Sequence, residues 1–196
     1  MTQAKGFFQR IKLLSSQQKL LFSVALCQRM QPNFSLFCKE IQSEDAEVFN
    51  NCLLILWQSV YDRKVKINYS LQIEKLENIT PQTHEHDIHA VYPAFDAVVA
   101  LATIFHALDN QLEDDLNNIS KLSSSTVSNY IIASSETSLE DTELDDFIFQ
   151  HPLMIDEKET QATLLEWIQT PQATETEQVK GLRESLIEQG ISNLGI

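Results

Sequence analysis

Three histidines fall within six residues of the sequence, at His84, His86 and His89, and two carboxylates stand between them. Imidazole and carboxylate are ligands that Zn²⁺ and Ni²⁺ accept, so this segment has the chemistry of a metal site. The spacing is less favourable, because on a helix His84 and His86 would point apart and only His86 and His89 could share a face. The segment is also polar and flanked by prolines. We therefore predict an exposed His-rich loop with no bound metal or cofactor, and metal binding is the alternative.

Asp96 is a carboxylate inside an otherwise apolar segment. A buried acid would mark a candidate functional site, because burial shifts carboxyl pKa values. The favoured interpretation is structural: Asp96 follows Pro93 closely, so it falls near the first turn of a helix, where the helix dipole stabilises negative charge. His106, on the same helix, is interpreted as a histidine of the core or its edge.

The three cysteines, Cys27, Cys38 and Cys52, lie on apolar stripes without CxxC spacing. This pattern predicts free, buried thiols in a reducing cytoplasm rather than catalytic nucleophiles. The sequence contains no GxGxxG, GxxxxGK[ST], GxSxG, HExxH or ExxH motif. No catalytic residue can therefore be identified from motifs, although an enzyme could lack all of them.

The charge is large and unevenly spread. The chain has 28 acidic and 14 basic residues, for a net charge of −14. Residues 1–75 hold 10 of the bases and 6 of the acids, whereas residues 76–196 hold 4 bases and 22 acids. Such an acidic surface repels phosphate, so direct nucleic-acid binding is not expected. Three interpretations remain: a solvated face, a docking face for a basic partner, or mimicry of nucleic-acid charge by residues 136–159.

The apolar stretch at residues 97–105 is about half of a membrane span, and the N-terminal residues lack the pattern of a secretory signal. We therefore expect a cytoplasmic protein without membrane contact.

Helical spacing dominates the sequence, which has only 4 glycines and 5 prolines. It predicts an all-α, single-domain bundle of about seven to nine helices over residues 1–196. Ser15 and Gln18 predict a capping box, and Pro32 predicts the end of that first long helix, with a short one continuing to Ile41.

Two long apolar helices, 44–61 and 93–108, are predicted to form the centre of the core. Residues 65–69 alternate like a strand but have no partner strand, so they predict an extended link. A further helix is expected over residues 112–130, with a weak place at residues 123–125, three serines that compete for backbone hydrogen bonds.

The remaining signals are caps. Ser138 with Asp141, and Asp156 with Glu159, predict two helix starts. Gly190 predicts a left-handed C-terminal residue in a Schellman motif, with its apolar contact between Leu186 and Ile191. The tail, residues 192–196, is expected to fold back and bury two apolar residues.

Several segments together resemble the YjaG-like family of small bacterial proteins, a domain-of-unknown-function family. They are CQRMQPNFSLFC (27–38), INYSLQIEKLENITP (67–81), AVYPAFDAVVAL (90–101) and KGLRESLIEQGISNLGI (180–196). The resemblance implies a cytoplasmic, mostly helical protein. It supplies no assigned activity and no site residues.

Two functional hypotheses follow. The first is a non-enzymatic interaction protein that binds a basic protein partner through its acidic half, or forms a homodimer through apolar faces. The second is an uncharacterised, metal-assisted enzyme that uses Asp96 with the segment His84–His89.

Overall fold

A computed structural model describes residues 5–62, 64–135 and 141–196, without the side chains of residues 141 and 142. Within these ranges the chain forms helices and no strand, which confirms the all-α prediction. The helices are α1 (Phe7–Lys12), α2 (Ser16–Ile41), α3 (Asp45–Tyr61), α4 (Tyr69–Asn78), α5 (Val91–Asp109), α6 (Asn118–Ser134), α7 (Asp141–Gln150), α8 (Pro152–Ile168) and α9 (Thr176–Gln189), with a 3₁₀ turn at Glu113–Asn117 before α6.

Helix α5 lies at the centre of the core, as predicted, but its principal partner is α2 rather than α3. Helices α4 and α6 pack against other parts of its surface. Three fully buried alanines, Ala94, Ala97 and Ala100, leave room for neighbouring helices to approach α5 closely. The extended link before α4 is present as expected.

The prediction that Pro32 ends a helix is wrong, because α2 continues through Pro32 to Ile41. A proline in a helix interior removes one hydrogen bond and costs about 3 kcal/mol. The continuous helix buries Phe34, Phe37 and Cys38 beyond the proline. Burial of a large apolar side chain stabilises a fold by about 1.5–3 kcal/mol, so packing outweighs the local penalty.

By length and hydropathy, the whole of α5 is long and apolar enough to cross a membrane, although residues 97–105 alone are too short. More than half of its most apolar 18-residue window is buried inside the protein. Packing against α2, α4 and α6 therefore accounts for the apolar character of this helix.

A buried polar network joins α2, α6 and α8. The Glu157 side chain is 0% exposed, and its Oε2 lies 2.6 Å from Arg29 Nη1. Its other oxygen, Oε1, accepts hydrogen bonds from Ser123 Oγ and Gln161 Nε2, each at 2.6 Å. Ser120 Oγ in turn donates to Gln161 Oε1 at 2.6 Å. Both oxygens of the buried carboxylate are thus satisfied, as a buried charge requires.

The C-terminal tail closes this network. Asn193 Nδ2 donates to the carbonyl oxygen of Ser123 at 3.1 Å, and Asn193 Oδ1 accepts from Asn33 Nδ2 at 2.8 Å. The backbone N–H of Asn193 donates to the Arg29 carbonyl at 3.2 Å. Leu194 is buried, whereas Ile196 is 46% exposed, so the predicted return of the tail is confirmed for one of its two apolar residues.

Gly190 has the predicted left-handed conformation, with φ of 59°. Its N–H donates to the Leu186 carbonyl at 3.3 Å, which is the single bond of the αL motif rather than the Schellman pair. Ile191 is 58% exposed, so we place no Schellman contact there.

Of the other predicted helix caps, one is confirmed, one is wrong and one cannot be compared with the structure. The capping box of Ser15 and Gln18 is confirmed. The box predicted at Asp156 is wrong, because α8 begins at Pro152 and His151 Nδ1 accepts from the Leu153 N–H. The serines at 123–125 do not weaken α6, since Ser123 donates its hydroxyl to Glu157 rather than competing for the backbone. The cap predicted at Ser138 lies outside the described residues.

The network predicts strong coupling between Arg29 and Glu157. Replacing Arg29 by Met leaves a buried carboxylate without its cation and should lower the free energy of unfolding by about 3–5 kcal/mol. The double variant, Arg29→Met with Glu157→Gln, should recover at least half of that loss, because the neutral amide oxygen at position 157 still accepts from Ser123. Urea unfolding of the two single variants and the double variant measures the coupling. Additive losses would contradict it.

The tail generates a second prediction with a matched control. Asn193→Ala should lower the free energy of unfolding by about 1–3 kcal/mol, because it leaves buried polar groups of Asn33 and Ser123 without their partner. Ile191→Ala removes a larger apolar side chain two residues earlier, but from an exposed position, and should change stability by less than about 0.5 kcal/mol. Thermal and urea unfolding compare the two, and equal losses would refute the interpretation.

Candidate functional site

The structure places the three histidines in different surroundings. His84 is exposed beside Glu85, with Nε2 and Oε1 4.0 Å apart. The His86 ring packs edge-on against Phe37 of α2, with centroids 5.1 Å apart. His89 lies at a cleft that also contains Asp96. No three His, Cys, Asp or Glu side chains within the described ranges converge as metal ligands, so the metal-assisted hypothesis has no candidate centre there.

Asp96 lies deeper in its helix than predicted, because α5 begins at Val91 and Asp96 is its sixth residue. Its partner is a side chain of the neighbouring helix: Thr126 Oγ1 donates to Asp96 Oδ2 at 2.8 Å. Burial raises the pKa of the Asp96 carboxyl, and the Thr126 hydrogen bond opposes that shift. The buried-acid interpretation therefore describes Asp96 better than the helix-dipole interpretation.

Asp96 and His89 line a cleft of about 400 Å³ between the first turns of α5 and the C-terminal half of α6, here called the Asp96 cleft. Two helical stripes form its walls, since side chains three or four residues apart share a face. The α5 wall carries Tyr92, Pro93 and Phe95, and the α6 wall carries Thr126, Asn129, Tyr130 and Ala133.

The Asp96 cleft carries negative charge without a compensating Lys or Arg among its described lining residues. Asp96 is the one carboxylate among them. The Thr126 hydroxyl has a single proton and two acceptors, Asp96 Oδ2 at 2.8 Å and the Leu122 carbonyl at 3.0 Å. Asp96 therefore shares the Thr126 proton with the backbone carbonyl of Leu122.

A second depression, of about 660 Å³, separates α8 from α9 and is here called the α8–α9 groove. Both helices rest on α2, and these two described helices form no extensive contact with each other. Facing side chains recur every three or four residues on each helix, from Asp156 to Trp167 on α8 and from Gln178 to Gln189 on α9. At about 1.5 Å per residue, the groove extends for about 17 Å.

The α8–α9 groove combines apolar and acidic side chains. Leu182 and Leu186 contribute partly exposed apolar surface, Leu164 lines the groove but is buried, and the carboxylates of Asp156 and Glu159 are solvent-exposed. Arg29 is the one base among the described lining residues, and Glu157 holds it 2.6 Å away. The groove therefore offers apolar surface beside unpaired negative charge.

A third cavity, of about 580 Å³, lies among α1, α6, α7 and α8. Its polar lining includes Ser120, Ser124 and Gln161, which already bond to one another. Lys158 Nζ lies 4.0 Å from the centroid of the Phe149 ring at this cavity. These particular groups are therefore already engaged within the protein.

The cysteines lie in the core, as predicted. Burial raises the pKa of all three thiols, and for Cys38, where the Asp45 carboxylate adds to the effect, it reaches about 11. Thiols of this kind stay protonated and are poor nucleophiles. His106, by contrast, is exposed on α5, so the part of its interpretation that placed it in the core is wrong.

Sequence reasoning missed the buried ion pair of Arg29 and Glu157 and the pairing of Asp96 with Thr126. The spacing of polar residues on α6 and α8 does contain a signal of the buried polar network. Glu157 and Gln161 are one turn apart on α8, and Ser120 with Ser123 or Ser124 are one turn apart on α6. Complementary polar stripes on two helices indicate a buried polar seam.

Comparison with known proteins identifies relatives along nearly the whole chain. The YjaG protein of Escherichia coli K12, described as uncharacterized, is 31% identical over 188 residues and covers 95% of this chain and 94% of its own. An uncharacterized protein of Haemophilus influenzae is 32% identical over 190 residues, with 96% and 95% covered.

A solved structure is also similar. The crystal structure of a DUF416 family protein from Shewanella baltica is 48% identical, covers 98% of this chain and 99% of its own, and superposes with a TM-score of 0.92. The profile of the family described as "Protein of unknown function (DUF416)" matches residues 6–196. The chain therefore belongs to the DUF416 family, and its helical fold is that of a family whose function is unknown.

Proposed function

We propose that this protein is a non-enzymatic interaction protein of the bacterial cytoplasm, and that it binds a basic helix of a partner protein in the α8–α9 groove. The observation that carries the proposal is the gap itself: two helices present regularly spaced side chains toward each other across a space that no described helix fills. A groove between helices is a common receptor for an amphipathic helix.

The geometry suits a helix as the occupant. Both helices of the groove rest on α2, so a third helix laid between them would contact α8, α9 and the surface of α2 beneath. Leu182 and Leu186, which are partly exposed, would receive its apolar face.

The charge specifies the partner's chemistry. Asp156 and Glu159 border the groove without a cationic partner in the described part of the chain. The second part of the sequence, residues 76–196, carries 22 acids against 4 bases. Lysines and arginines flanking an apolar stripe would be attracted to these carboxylates, which favours association with a basic segment and disfavours nucleic acid and anionic membranes.

Two further observations support a non-enzymatic role in the cytoplasm. The three thiols are buried and free, as in a protein from a reducing compartment. The histidines of the loop before α5 do not converge. A homodimer is the other form of the interaction hypothesis, and the following experiment distinguishes it.

Photo-crosslinking in the bacterial cytoplasm tests this proposal. A benzophenone amino acid is placed at Ser185, which lines the groove, and at Ser70, an exposed serine of α4, as the control. We expect a discrete adduct from position 185 only, with the crosslink mapping to a Lys/Arg-rich helical segment of another protein. Charge reversal of Asp156 and Glu159 to Lys should abolish it, because the partner's bases would then be repelled.

The matched control for charge is Asp109→Lys with Glu113→Lys, which makes the same change in net charge at exposed positions outside the groove. This variant should retain the adduct. A crosslink to a second copy of the chain would favour the homodimer and contradict a basic partner. No adduct at position 185, or an adduct that survives reversal of Asp156 and Glu159, would also contradict the proposal.

A further inference from the structure

The Asp96 cleft has properties that the proposed interaction does not use, because it lies between α5 and α6, away from α8 and α9. Its carboxylate is half-buried, and among the described residues only the Thr126 hydroxyl donates a hydrogen bond to it. Elsewhere in the described structure, the fully buried Glu157 has a cation and two further donors. A desolvated carboxylate without a cation is unfavourable unless something else supplies the positive charge.

Three aromatic side chains line the same cleft as this carboxylate. Tyr92, Phe95 and Tyr130 all line the cleft, and Tyr92 and Phe95 remain 58% and 36% exposed. Aromatic rings attract cations through the negative charge of their faces, and sets of such rings recognise organic ammonium groups. A carboxylate among three aromatic side chains therefore combines two independent attractions for the same kind of ligand.

We propose that the Asp96 cleft binds a small organic ammonium ion. The ammonium group lies against Asp96, and its carbon substituents contact Tyr92, Phe95 and Tyr130. His89 and Asn129, which also line the cleft, supply acceptors for any N–H groups of the ligand. A volume of about 400 Å³ is at the lower end of the range for small-molecule pockets, which suits a ligand of a few carbon atoms.

The composition of the cleft disfavours other ligands. An anion would meet Asp96 without any Lys or Arg among the described lining residues. Hard metal ions such as Mg²⁺ and Ca²⁺ require several oxygen ligands, whereas this cleft has a single carboxylate. A neutral apolar ligand would leave Asp96 desolvated without compensation.

Calorimetric titration with choline and with n-butylammonium tests the proposal, with 3,3-dimethylbutan-1-ol as the neutral isostere of choline. We expect both cations to bind and the alcohol not to bind. Equal binding of the alcohol, no binding of either cation at about 10 mM, or complete competition by potassium at the same concentration would overturn the proposal. The two cations distinguish a quaternary from a primary ammonium preference.

Variants separate binding from folding. Asp96→Asn should reduce the affinity roughly tenfold or more, and Tyr130→Leu should reduce it by a smaller factor, because each removes one attraction. Asp109→Asn makes the same chemical change at an exposed position of the same helix and should leave the affinity unchanged. Full affinity in Asp96→Asn would overturn the proposal.

Stability gives a readout that a purely structural role for Asp96 would not produce. Because burial raises the folded-state pKa above the unfolded value, the charged carboxylate lowers stability once the pH exceeds the unfolded pKa of about 3.9. Asp96→Asn should therefore raise the Tm of the ligand-free protein at neutral pH, and the gain should disappear in acid, where Asp96 is protonated in both states. A lower Tm at neutral pH would assign Asp96 to folding and overturn its role as a ligand-binding residue.

Discussion

A carboxylate that is completely removed from water, Glu157, imposes the strictest constraint on this fold. Its charge must be neutralised and its lone pairs must accept hydrogen bonds, because an unpaired buried carboxylate lowers the free energy of unfolding by several kcal/mol. Arg29 of α2, Ser123 of α6 and Gln161 of α8 do this together, and Asn193 of the tail bonds to two of these residues. Helices far apart in the sequence are thereby held in one relative position, which apolar contacts alone specify less well.

The same constraint shapes the α8–α9 groove. Arg29 reaches the groove lining, but Glu157 engages its charge, so Asp156 and Glu159 are the charges left to face an incoming molecule. The network links α8 to α2 through a polar contact, beside the apolar packing of Leu165 and Ile168 in the core. The acidity of the groove follows from the internal pairing of Arg29, the one base among its described lining residues.

The sequence predicts the elements of this fold well where local chemistry decides the outcome. The capping box at Ser15 and the left-handed Gly190 depend on neighbouring residues only, and both are present. Prediction from the sequence fails where a contact with a distant residue decides the local structure. Nothing local shows that burial beyond Pro32 outweighs a broken helical hydrogen bond. The serines of α6 likewise look like a weak place until Glu157, on another helix, is seen to accept from Ser123. Candidate sites share this difficulty, since Asp96 could be selected from sequence but its partner Thr126 could not.

The fully buried Glu157 and the half-buried Asp96 carry their charges in different ways. Glu157 is neutralised by Arg29, and the protein gains a fixed arrangement of helices. Asp96 has one shared hydroxyl, and burial raises the pKa of its carboxyl. A protein that needed only a stable α5–α6 contact would gain from an amide at this position, because an amide carries no charge to desolvate. In the proposed binding role, a cation from outside neutralises the acid beside these aromatic side chains, and the fold's remaining interactions offset the loss of stability until the cation binds.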